Sequence, residues 1–152
     1  MDIKSLIPAS HVLIGLEGST QRDILRNLCT PLSKEHILSD TDAFLDDVER
    51  REKQITTQVD DMIALPHARS TAVRRLACSV GIACDPGLTY NAETEARCRL
   101  FFMIAVPAFA PTAHLPLLQH LANFAHDPER VGKLLDSASP SQAARQIVRF
   151  KG

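Results

Sequence analysis

Strands interleaved with amphipathic helical stretches predict an α/β fold: a single domain over residues 1–152, with a mixed, mostly buried sheet flanked by helices. Three observations carry this. Leu76–Cys84 alternates with period two, larger residues on one face and small ones on the other. Cys98–Val106 is apolar on both faces after Arg99, as in the centre of a sheet. Several connections are too short for every neighbouring strand to be parallel, so the sheet is expected to be mixed.

In chain order, residues 3–8 form an apolar start, and His11-Val12-Leu13-Ile14 is a first strand broken by Gly15–Gly18. Ser19 or Thr20 caps a helix carrying Ile24, Leu25 and Leu28 at helical spacing, and Pro31 is expected to end it. A second helix starts near Ser39 or Thr41 and runs to about Gln54, with Phe44, Leu45, Val48 and Ile55 on one face. Arg51 falls at the margin of that stripe, where an arginine needs a partner such as Glu52 or Asp47, while Arg50 points away. Asp85-Pro86-Gly87 is a turn between the two buried strands. Three helices close the chain at about 113–126, 128–138 and 141–150, with Ser139 or Ser141 capping the last.

With 152 residues, 45% of them hydrophobic and 23% charged, and a net charge of −1, the chain has no basic excess for nucleic acid. No apolar run reaches the roughly 18–20 residues that span a bilayer, and the first residues carry no signal-peptide pattern, so a cytoplasmic protein is expected. Cys29, Cys78, Cys84 and Cys98 lack metal-site and CxxC spacing and read as reduced structural thiols.

The stretch Thr56–Arg69 organises the rest. Met62–Leu65 reads as a buried strand that stops at Pro66, which donates no hydrogen bond, so that His67 is presented where the backbone turns. A histidine there can be a nucleophile, a metal ligand or a general base. His114 lies on the buried stripe of the helix near 113–126, in its first turn, where unpaired N–H groups favour an anion. His67, His114 and Arg51 together suit phosphoryl chemistry, with an imidazole nucleophile and cationic donors around the transferring oxygens. A metal site built from the two histidines and a carboxylate rests on residue type alone.

The segment Arg51-Glu52, then Thr57, then Ile63-Ala64-Leu65-Pro66-His67 resembles the active-site signature of phosphotransferase-system IIA proteins of the fructose/mannitol class. The branch it resembles most is the nitrogen-regulatory IIA proteins, and His114-Leu115 opening a Leu-rich helix matches as well. The resemblance extends over nearly the whole chain. It implies that His67 is phosphorylated at Nε2, that His114 and Arg51 complete the site, and that Asp61 and Thr57 support it. It implies no cofactor and no metal. The donor would be a small phosphocarrier of the HPr type, and the receivers regulatory proteins or a IIB domain. No permease segment accompanies the chain, which favours the regulatory role over a sugar-specific IIA.

Gln58, Asp60 and Met62 stand where the nitrogen-regulatory pattern has glycines. A different loop path is therefore expected, and Asp60 and Asp61 would bring negative charge towards a phosphoryl group. That departure motivates a contrary reading, an interaction module that has lost phosphotransfer.

Overall fold

The structure is a computed structural model that describes residues 2–60 and 62–152. Those residues form a five-stranded mixed sheet with helices on both faces, as the sequence predicts. The strands are β1 (Val12–Ile14), β2 (Ile63–Ala64), β3 (His67–Ser70), β4 (Ala77–Ile82) and β5 (Leu100–Pro107). β1 runs parallel to β4, β4 antiparallel to β5, and β5 parallel to both β2 and β3.

β4 is buried along its whole length, and its alternation sorts the two cores. Cys78, Val80 and Ile82 join Phe102, Ile104 and Val106 beneath α4 (Leu115–Ala125), α5 (Pro128–Leu135) and α6 (Pro140–Val148). Ala77 on the small-residue face joins Phe101, Met103 and Ala105 beneath α2 (Gln21–Lys34) and α3 (Thr41–Gln54). A Cβ added at Gly81 would sit 2.6 Å from Leu16 Cδ2 and 2.8 Å from Leu28 Cδ2, so the missing side chain is what lets α2 approach. At the chain start, α1 spans Ile3–Leu6. Buried His11 then ties β1 to the end of α2, one ring nitrogen 3.0 Å from the Cys78 carbonyl and the other 3.0 Å from Glu35.

Several boundaries differ from the sequence reading. α2 passes through Pro31 to Lys34. The proline falls in the last turn, where it removes only the bond to the Asn27 carbonyl, and its buried ring and buried Leu32 hold the extra turn. α3 starts at Thr41, as the sequence reading has it, with Asp40 capping it by accepting from Ala43 N–H. Ile55 leaves the helical face altogether: its backbone is extended and its side chain 73% exposed.

The largest correction concerns Pro66. The ladder does not stop there. Ile63 is opposite Leu100 and His67 opposite Ile104, an unbroken four-residue step on each strand, so β2 and β3 are one line interrupted at Leu65-Pro66. Pro66 lacks a donor but its carbonyl accepts from Ile104 N–H at 3.0 Å, and the line lies at the sheet edge, where proline is tolerated. Among the described residues no helix is long and apolar enough to cross a membrane.

Candidate active site

His67 is the first residue of β3, half-buried and facing a cleft of about 320 Å³. Its Nδ1 lies 2.8 Å from the Leu65 carbonyl oxygen. A carbonyl only accepts, so Nδ1 carries the proton and the neutral ring keeps its lone pair on Nε2. Burial holds the imidazole below its ordinary range; the Leu65 bond and Glu52 oppose that shift, while Arg51 and Arg69 reinforce it. The ring is thus kept neutral and nucleophilic.

His114 stands across the cleft, its ring centroid 5.8 Å from that of His67 and tilted by 38°. It occupies the N-cap position of α4, one step before the first turn that helical periodicity predicts, and is 4% exposed. Its Nδ1 is buried without a hydrogen-bond partner. An orphaned buried N–H is rarer than an orphaned acceptor, which assigns the proton to Nε2 and makes that atom a donor. Burial, then His67 and Arg69, hold this imidazole below its ordinary range too.

Arg51 lines the same cleft from the end of α3, donating from Nη1 to the Ile55 carbonyl at 2.8 Å. The structure therefore brings His67, His114 and Arg51 together, with Arg50, Arg69 and Asp47 beside them. Arg50 is taken up by Asp47 at 2.6 Å. The guanidinium groups of Arg51 and Arg69, which no carboxylate neutralises among the described residues, together with imidazole N–H donors, suit the cleft to a small anion.

The sequence of this protein matches the family described as "Phosphoenolpyruvate-dependent sugar phosphotransferase system, EIIA 2" over residues 5–149. The chain belongs to that family. It is 28% identical over 139 residues to the "PTS system fructose-specific EIIABC component" of Bacillus subtilis, covering 91% of this chain and 22% of that protein. It is 25% identical over 146 residues to the "Nitrogen regulatory protein" of Pseudomonas aeruginosa, covering 96% and 94%. The crystal structure of the nitrogen regulatory protein IIA-Ntr from Neisseria meningitidis superposes with a TM-score of 0.83 at 21% identity, covering 95% of this chain and 98% of that one. The resemblance and the mixed α/β architecture read from the sequence are thus borne out, and a phosphotransferase role in general terms comes with the family.

Within this IIA fold, Glu52 and Thr57 form a second layer behind the cleft. Thr57 donates its N–H to Glu52 Oε2 at 2.8 Å and its hydroxyl to Glu52 Oε1, and the Tyr90 hydroxyl donates to the same Oε1 at 2.9 Å. Glu52 is therefore engaged by these donors and does not pair with Arg51. The glycine-poor loop follows its path without left-handed backbone at Gln58 or Asp60. Asp60 is exposed and folds its carboxylate back on its own loop, accepting from Met62 N–H at 2.7 Å and Ile63 N–H at 2.9 Å, and does not line the cleft. Asp61 lies outside the described residues. Among those described, no three His, Cys, Asp or Glu side chains converge as a metal-ligand set.

Sequence reasoning left two participants unassigned. Arg69 lies two residues beyond His67 on the same face of β3, a relation that period two would have shown had the strand been continued through Pro66. Tyr90 comes from the segment between β4 and β5, and no local pattern links it to Glu52.

Proposed function

We propose that this chain, as a single IIA domain, is a phosphohistidine carrier of the nitrogen-regulatory kind, accepting a phosphoryl group on His67 from an HPr-type phosphocarrier. One observation carries the reading: the Leu65 carbonyl holds the Nδ1 proton, so that the Nε2 lone pair enters a cationic cleft opposite His114. The Nε2 lone pair forms the new P–N bond as the donor's P–N bond breaks, the electron pair remaining on the donor nitrogen. The proton stays on Nδ1, donated to the Leu65 carbonyl throughout. His114 Nε2–H and the Arg51 guanidinium donate to the phosphoryl oxygens, balancing charge as it redistributes.

Exposed apolar side chains stand close in the chain to the residues of the cleft. Phe109 is 78% exposed in the loop that leads to His114, Leu115 follows His114, and Ile55 supplies the carbonyl that holds Arg51. Such residues beside a charged site suit transient protein docking, first by the donor and then by a regulatory target. A second reading, transfer onward to a separate IIB domain, draws on the fructose-specific name of the Bacillus relative.

The test is the intact mass after incubation with phosphoenolpyruvate, enzyme I and an HPr-type carrier, alongside His67→Ala. The expected result is an acid-labile gain of one phosphoryl group, absent from the variant. No gain with several donors would leave an interaction module instead. Phosphoryl passing readily to a IIB domain supplied in trans would favour the second reading.

A further inference from the structure

Arg69 belongs to the cleft but to none of the roles that the resemblance assigns. It leaves β3 on the same face as His67, whereas Ala68 and Ser70 between and beyond them are buried on the other face. Its Nε–H donates to the Pro111 carbonyl at 2.7 Å, reaching across to the loop that leads to His114. A guanidinium held at Nε keeps both Nη groups on the far edge of its rigid plane, a fork matched to two oxygens of one phosphoryl group. Among the described residues no carboxylate neutralises it, unlike Arg50, which Asp47 occupies.

We propose that Arg69 is a further phosphoryl-binding residue of this site, its Nη groups donating to the group carried on His67 while Nε–H remains on Pro111. This rests on the carrier reading above. The electrostatics agree: the charge of Arg69 depresses the basicity of both His67 and His114, whereas that of Arg51 acts on His67. Its charge reaches both rings, between which a phosphoryl group shared by the two histidines would lie. The bond to Pro111 has a second effect, fixing the guanidinium plane before the anion arrives, so that little ordering remains for the transfer step. Lysine would bring the charge without the fixed plane.

The test compares the wild type with Arg69→Gln and Arg69→Lys, using two donors. One is the HPr-type carrier; the other is phosphoramidate, whose P–N bond breaks with release of ammonia and which needs no docking surface. Rates of His67 phosphorylation are followed by intact mass, and His67 and His114 are titrated by NMR. Arg69→Gln is expected to slow transfer from both donors, on the order of 10²-fold, the cost of losing one preorganised donor. Both histidines should titrate at higher pH in that variant, and Arg69→Lys should recover the titrations and part of the rate. A rate in Arg69→Gln equal to wild type with phosphoramidate would overturn the role of Arg69 alone. Slowing with the protein donor only would also overturn it, making Arg69 a docking residue. A wild type inert to both donors would overturn the carrier reading and this proposal with it.

Discussion

Replacing Tyr90 with phenylalanine removes one hydroxyl from the Glu52 hub and nothing else. Tyr90 is 1% exposed, and its ring packs edge-on against Phe101 with centroids 5.7 Å apart, a contact that phenylalanine retains without a cavity. Burial, and then the Glu52 charge, push the phenol's pKa upward, so the hydroxyl is a neutral donor throughout the working pH range. A hydrogen bond to a charged acceptor contributes about 1.5–3 kcal/mol. Glu52 is only half-buried and retains both donors of Thr57, which places the loss near the lower end, about 1.5 kcal/mol. For a chain of this size that lowers Tm by about 3–6 °C. Urea denaturation should show a lower midpoint with an unchanged slope. Thr57→Val, measured singly and with Tyr90→Phe, should couple to it by at least about 0.5 kcal/mol, because both hydroxyls share Oε1. A loss below about 0.5 kcal/mol in Tyr90→Phe, or strict additivity in the double variant, would refute the shared-acceptor argument.

Arg51→Ala and His114→Ala should each slow phosphoryl acceptance on the order of 10²-fold without altering the far-UV spectrum, and unfolding of either variant would make its role structural. Because both cleft histidines are held below their ordinary value of 6.5, the unfolded chain binds more protons below that value. Their contribution is complete above pH 6.5 and declines as the pH falls through the folded values. The urea midpoint should therefore drop as the pH falls below 6.5, and less so in His67→Gln. Gly81→Val should destabilise by about 1–3 kcal/mol, read from the same midpoint, because α2 packs directly onto that position. Cys29, its thiol pushed by burial to about 12, and fully buried Cys78 should resist a thiol reagent at pH 8, while exposed Cys84 reacts; denaturation should expose all four.

Much of the layered architecture was legible because period two in Leu76–Cys84 and helical spacing around Ile24 and Leu25 report burial directly. The trio of His67, His114 and Arg51 could be assembled from motif spacing, although the residues come from a strand, a helix cap and another helix. What sequence patterns missed depended on long-range geometry. Pro66 looked like a terminator because its missing donor is visible in the sequence, whereas the Ile104 N–H that its carbonyl accepts is not. Arg69 was hidden by the same error, since its face is defined only once β3 exists. The Glu52–Tyr90 bond joins positions 38 residues apart, beyond any periodicity. Asp60 was expected to add charge to the cleft, but its carboxylate is taken up by the N–H groups of Met62 and Ile63 in its own loop.

In the proposed transfer, the contact between His67 Nδ1 and the Leu65 carbonyl would set a regiochemistry that substitution of the Leu65 side chain cannot erase. The oxygen that selects the reactive nitrogen belongs to the main chain, so every replacement at position 65 retains it as long as the edge strand keeps its course. Phosphorylation at the two imidazole nitrogens gives distinct isomers, distinguishable by phosphorus–nitrogen coupling. Altering the isomer formed would require moving the backbone between β2 and β3. Pro66, by setting that course, would thus govern which of two chemically different products the proposed transfer yields.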